Sequence, residues 1–383
     1  MNIFSSDFKL GILGGGQLGK MLLVETRKFD IQTYVLDPSE DAPARLSCNK
    51  FVLGSLTDFE TVYNFGKQVD VLTFEIEMVN LEALIKLENE GLKIYPSPKT
   101  LQLIQNKAVQ KNFYKNNNIP TSDFHVFNNL DDLKNTLENE DLKTPFVWKS
   151  AEFGYDGNGV KVVRNISDLE NLSNVACIAE AMIDFKYELS VIVVRNSSGE
   201  VRNYPVVEME FHPEANQVEY VICPARIDDE FAKKAIEIAL KVSEKFNHVG
   251  LLAVEMFLTQ DDAILVNEVA PRPHNSGHQS IEASYTSQFE NHLRAVLNLP
   301  LGDCESKIAG IMVNLVGEEG FKGNVIYENI EKIMAIEGVT PHIYGKRETR
   351  PFRKMGHVTI VNKNIDEARK IAEEVKKLIR VIA

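Results

Sequence analysis

A short apolar run, Lys9–Leu13, enters Gly14-Gly15-Gly16-Gln17-Leu18-Gly19 with no spacer, and apolar residues at helical spacing follow to Phe29. A strand that turns through glycines directly into a helix is the opening of a parallel sheet, because parallel neighbours must be joined by a crossover. The pattern repeats. Residues 33–36 and 51–53 read as strands, 57–68 as a helix, Val71–Phe74 as a strand and 81–90 as a helix. Alternation of this kind predicts a doubly wound α/β domain. Tyr95-Pro96-Ser97-Pro98 interrupts it and puts the first domain at residues 1–98.

The glycine turn fits G-x-G-x-x-G, and Asp37 follows about 18 residues beyond Gly19. That is the fingerprint of a dinucleotide site, in which amides at a helix N-terminus meet phosphate and an acid meets a ribose. An NAD-dependent oxidoreductase is therefore one reading. The physics alone supports something narrower, a turn suited to an anionic phosphate, and glycines that serve only strand–helix packing fit the pattern too.

The middle of the chain, residues 99–298, has a different texture. Helical stretches at 99–105 and 108–116 lead to strands at 146–149, Val160–Val163, 175–180, 188–195 and 203–211. A long helix at Asp229–Phe246, a hairpin at 251–258 and 263–269, and a helix at 281–297 follow, so this domain reads as α+β. A small C-terminal domain, 299–383, carries strands near 310–316 and 357–361 and a last helix at Ile365–Leu378.

Chemistry concentrates in the middle. Lys149 ends an apolar strand, and Phe153-Gly154-Tyr155-Asp156-Gly157-Asn158-Gly159 follows at once. A strand-end lysine beside a glycine lid suits phosphate, and Lys107 is a possible second phosphate-reaching lysine. On the hairpin, a turn centred on Asp261-Asp262 sets Glu255 opposite Glu268. Like charges opposed on an apolar hairpin are destabilising unless compensated. Magnesium with nucleotide phosphates is the natural compensator. Pro271-Arg272-Pro273-His274-Asn275-Ser276-Gly277-His278 then offers polar groups beside the metal strand, with no cysteine to suggest zinc.

Composition narrows the ligand class. With 42 Lys plus Arg against 55 Asp plus Glu the formal charge is −13, a poor basis for nucleic-acid binding, so a small-molecule substrate is expected. No apolar run approaches a membrane span, and residues 1–16 lack the charged-then-apolar order of a secretory signal. The four cysteines are dispersed, which fits a reducing cytoplasm.

Taken together, GGGQLGKML, TFEIE at 73–77, NKAVQKNF at 106–113, FGYDGNG, NEVAPRPHNSGH and RPFRKMGH at 350–357 resemble the ATP-grasp superfamily. Within it, they resemble most closely the carboxyaminoimidazole ribonucleotide synthase family of purine biosynthesis, over essentially the whole chain. The resemblance implies an ATP-grasp fold: an N-terminal Rossmann-like pre-ATP-grasp domain, the central ATP-grasp domain and a small C-terminal domain, in a homodimer. It implies ATP and magnesium as cofactors and aminoimidazole ribonucleotide and bicarbonate as substrates. Lys107, Lys149, Gly154, Gly157, Gly159, Glu180, Ala181, Ile183, Glu188 and Asn267 would serve ATP, and Glu255 and Glu268 the metal. Gly16, Gln17, Leu18, Glu75, Asn275, Ser276, Arg353 and Lys354 would serve the ribonucleotide. Tyr155, Asp156, Arg272, His274 and Lys346 would serve the chemistry. Asn158 stands where members of the family often carry a basic residue, so that charge must come from elsewhere, Lys346 or Arg272. A sibling ATP-grasp ligase with another acceptor and a non-catalytic nucleotide-binding protein remain the alternatives beside the oxidoreductase.

Overall fold

The structure is a computed structural model, and it describes residues 2–139, 141–152, 159–212 and 217–383. The N-terminal unit is a five-stranded parallel sheet in the order Lys50–Leu53, Gln32–Asp37, Lys9–Leu13, Val71–Phe74, Lys93–Ile94. Its central strands are buried on both faces: Leu10, Ile12, Leu13, Leu72 and Phe74 have no exposure. That explains why they read as continuous apolar runs. Polar caps fix helices between and after them. The Asp58 side chain accepts from the Thr61 amide, Asn80 from Ala83 and Ser97 from Thr100.

Two antiparallel sheets follow. One has four strands, in the order Phe124–Phe127, Cys177–Ala181, Phe146–Ser150, Val160–Val163. The other runs Ile264–Ala270, Gly250–Thr259, Phe185–Arg195, Val207–Phe211, Val218–Cys223, Ala309–Val316, Lys354–Asn362, Val339–Ile343, with Val201–Asn203 pairing beside Phe185–Arg195. The helix Asp229–Phe246 lays Ala235, Ala239, Val242 and Phe246 on Val191, Val193, Val254 and Met256. The large sheet does not stop at residue 298: Ala309–Val316 pairs with Val218–Cys223, so C-terminal strands extend the central sheet.

Several elements differ from expectation for local reasons. The strand expected at 203–211 is broken after Asn203, where Pro205 can donate no ladder hydrogen bond. The helix expected at 281–297 is two, Ser280–Ala283 and Gln288–Val296, because the Ser287 hydroxyl accepts from the Glu290 amide and starts the second. The helix Leu130–Glu138 and the strands Phe124–Phe127, Val218–Cys223 and Val339–Ile343 had no expectation. Among the described residues, no helix is long and apolar enough to cross a membrane.

Candidate active site

The glycine turn finds its anion within the chain. Gly14 sits at φ +95, and a Cβ on Gly14 or Gly16 would press on the Glu75 side chain at 2.7 Å. The Gly16 amide donates to Glu75 Oε1 at 2.8 Å and Gly19 to Oε2 at 3.2 Å, while Gly15 donates to Asp37 Oδ2 at 2.7 Å. The Ser39 amide takes the other Asp37 oxygen at 2.8 Å. The amides that would receive a phosphate, and the acid that would receive a ribose, are therefore engaged with each other. Burial, against the pull of those amides and of Arg272, raises the Glu75 carboxyl to about 7. Gln17 and Leu18 open the helix Gln17–Lys28 above this turn.

The hairpin carries the opposite situation. Glu255 and Glu268 are direct cross-strand partners, as expected, but by another route. The turn is one residue longer than a pair centred on Asp261-Asp262: Thr259 and Ala263 close it, and Asp262 adopts φ +65. A bulge between Glu255 and Met256 absorbs the extra residue and restores the pairing. The residue left over is Asn267, and bulges re-aim side chains next to functional sites. Its amide oxygen accepts from Lys149 Nζ at 3.1 Å.

Three carboxylates crowd this face. Burial, then the Glu268 and Glu188 charges, hold Glu255 far above the carboxylate range, and burial followed by Glu268 raises Glu188. Glu268 moves the other way, pulled down first by Lys107, whose ammonium lies 3.1 Å from Oε2. Its side chain stays 44% accessible, so the charge faces a cleft. Oxygen ligands in mutual repulsion fit magnesium, a hard cation, and the pair Glu255 and Glu268 would hold it. Water and phosphate oxygens would supply the other ligands of a magnesium ion held there.

Cations line the same cleft. Asn106 caps the helix Lys107–Asn116, placing Lys107 at its first position, where the helix dipole disfavours a cation. Lys149, 8% exposed, also meets Glu180 Oε1 at 3.1 Å. Glu180 ends a buried run, and Ala181 and Met182 beyond it are exposed on the link to Phe185–Arg195, with Ile183 half-buried. That link joins the two sheets, with its Ala181 amide on the Asp123 carbonyl at 2.8 Å and its Asp184 carbonyl accepting from the Gln260 amide at 3.1 Å. Gly159 at φ +78 accepts from the Ser150 amide at 2.9 Å; Gly154, Tyr155, Asp156, Gly157 and Asn158 lie outside the described residues.

The Pro271–His278 stretch forms the remaining wall. His274 Nδ1 lies 2.9 Å from the Ser276 hydroxyl and 3.3 Å from its amide, and Nε2 lies 3.2 Å from Glu255 Oε1. Arg272 Nε pairs with Glu77 Oε1 at 2.8 Å. Two expected substrate contacts turn inward. Ser276 is 1% exposed, its hydroxyl between Ser190 Oγ at 2.8 Å and His274 Nδ1 at 2.9 Å, and Asn275 exchanges paired amide bonds with Asn314 at 2.9 and 3.0 Å. Lys354 adds positive potential at Glu255. Lys346 Nζ donates to the Lys354 carbonyl at 2.7 Å, and Arg353 donates to the Glu348 carbonyl at 2.6 Å.

With that geometry in place, three family descriptions tile the chain. A ribonucleotide synthetase preATP-grasp domain matches residues 8–105, an ATP-grasp domain 112–289 and a phosphoribosylaminoimidazole carboxylase C-terminal domain 310–371. Over 94% of its length the chain is 37% identical to the N5-carboxyaminoimidazole ribonucleotide synthase of Bacillus subtilis, 92% of which is covered. The chain belongs to the N5-carboxyaminoimidazole ribonucleotide synthase family. The synthetase structure from Thermotoga maritima superimposes with a TM-score of 0.90 at 43% identity, covering 98% of this chain and 99% of that one. The Aspergillus clavatus synthase, in complex with ADP and 5-aminoimidazole ribonucleotide, gives 0.87 at 35% identity over 97% and 98%.

Membership in the synthase family accounts for the glycine turn without a dinucleotide. Sequence reasoning missed two buried residues here, Lys111 and Gln288. Lys111 lies one turn beyond Lys107, a spacing that was legible. Gln288 clasps His274, accepting from its amide at 2.8 Å and donating to its carbonyl at 2.7 Å, and no local pattern signals that.

Proposed function

We propose that this protein carboxylates 5-aminoimidazole ribonucleotide to its N5-carboxy product, using ATP and bicarbonate through carboxyphosphate. The observation that carries the reading is the crowded pair Glu255 and Glu268 with Lys107 and Lys149 beside it, in a chain of this family. Bicarbonate is a weak electrophile, and phosphorylation gives it a leaving group. Phosphoryl transfer asks mainly for positioning and neutralised charge, which the two lysines supply. Magnesium bound at Glu255 and Glu268 would neutralise phosphate charge.

His274 turns Nε2 towards Glu255 Oε1. Arg272, steered by Glu77, brings a fixed positive charge to the same wall. Glu75 and the residues at Gln17 and Leu18 face the ribose side in this reading, with Lys346, Arg353 and Lys354 serving the phosphate. Tyr155 and Asp156 would close over the amine, a role drawn from resemblance. A cytoplasmic homodimer belongs to the same reading on the same basis. Because carboxyphosphate is short-lived in water, closure should affect turnover more than binding.

The test is ADP release with ATP, magnesium and bicarbonate, with and without aminoimidazole ribonucleotide. Strong bicarbonate-dependent stimulation by the ribonucleotide is expected. ADP binding without stimulation would assign the chain to another acceptor within the ATP-grasp ligases.

A further inference from the structure

Lys111 is 2% exposed, one helical turn after Lys107, and has no place in the reaction just described. Its ammonium has three oxygen neighbours: Thr121 Oγ1 at 2.7 Å, Ser122 Oγ at 3.2 Å and Glu180 Oε2 at 3.0 Å. An ammonium carries three protons, so none is left for a ligand. The neighbours close a ring. Thr121 Oγ1 donates to the Val266 carbonyl at 2.7 Å, Asn267 follows Val266 in the bulge, Asn267 holds Lys149, and Lys149 returns to Glu180. The ring ties the helix, the four-stranded sheet and the hairpin across the cleft.

Charge gives the ring a purpose. Lys107 is matched by Glu268, so Lys111 and Lys149 share the single charge of Glu180. Burial would raise the Glu180 carboxyl, but the two lysines outweigh it and hold it below its ordinary range. With Lys111 present the triad keeps one net positive charge, and Lys149 carries it into the cleft. Without Lys111, Glu180 would neutralise Lys149 and draw it back from the phosphates.

We propose that Lys111 is a positioning residue for nucleotide binding: it engages Glu180 from behind, so that Glu180 anchors Lys149 without cancelling its charge. The inference rests on the reading that Lys149 meets the nucleotide's phosphates, and it does not depend on the acceptor.

The experiment uses the full chain and measures magnesium–ADP binding by calorimetry, together with KM for ATP and for the ribonucleotide. Lys111→Met should weaken ADP about tenfold and raise the ATP KM in step, leaving the ribonucleotide KM within about twofold. Adding Glu180→Gln should restore ADP affinity to within about threefold of the parent, because the triad regains its net charge. The change leaves the Glu180 backbone paired with Phe124 and Val147 and removes only the carboxylate charge. Unchanged ADP binding in Lys111→Met overturns the proposal. So does a double variant no better than the single, which a merely structural lysine would give. If Lys111→Met does not fold, the charge-balanced double variant decides alone, and a tenfold loss in it overturns the proposal. A parent that binds ADP but ignores the ribonucleotide would sink the acceptor, leaving this inference standing.

Discussion

The glycine turn and the hairpin cleft both gather carboxylates next to groups that would welcome phosphate, yet they are in opposite states. At the turn, Glu75 and Asp37 satisfy the amides of Gly15, Gly16 and Gly19. In the cleft, Glu188, Glu255 and Glu268 repel one another, and lysines answer only part of the charge. The sequence motif is stronger at the turn, and the unmet electrostatic demand is stronger in the cleft. A cation with its phosphates is to be sought where like charges conflict, because it relieves a cost the fold already bears.

The contrast can be broken most directly at Glu255. Glu255→Gln should lower kcat by about 10²–10³, as removal of a major charge-stabilising group does. Without magnesium its melting temperature should hold or rise, because like-charge crowding is relieved. A lower melting temperature, or turnover within about tenfold of the parent, would undo the account of the cleft.

At the turn the expected change is in stability. With Glu75 at about 7 in the folded chain and near 4.5 unfolded, the folded state keeps a proton that the unfolded state has lost between those values. Its contribution is therefore full below about pH 4.5 and is lost as pH rises through 7, by up to about 3 kcal/mol. Glu75→Gln should flatten that part of the stability profile, read by denaturant unfolding at about pH 5 and about pH 8. A profile as steep as the parent's would reassign the slope to other groups.

The smallest effect is expected at Asp37. Asp37→Asn leaves one acceptor where the Gly15 and Ser39 amides had two, costing about 1 kcal/mol. ATP KM should not move, and a marked rise would show that the turn takes part in nucleotide binding.

Periodicity and punctuation made much of this legible. The strands Lys9–Leu13, Val71–Phe74 and Val160–Val163 and the helices Asp229–Phe246 and Ile365–Leu378 lie where the sequence placed them, since apolar spacing and capping residues act locally. The Glu255–Glu268 pairing was reached from a turn one residue too short, and the bulge at Asn267 made good the difference. Such a bulge is decided by the sheet, not by the residues within it. The burial of Lys111 depends on Glu180, which lies 69 positions away. The inward turn of Asn275 likewise depends on Asn314, on a strand beyond the expected domain boundary.

That continuity of the large sheet bears on how the chain is made. Val218–Cys223 finds its outer neighbour only in Ala309–Val316, and that strand in turn waits for Lys354–Asn362. Until the last segment leaves the ribosome, a row of ladder groups on the central sheet is open to any other strand. The unit that can fold without risk is therefore the whole length of the sheet, and a nascent chain halted near residue 300 is the form most exposed to aggregation.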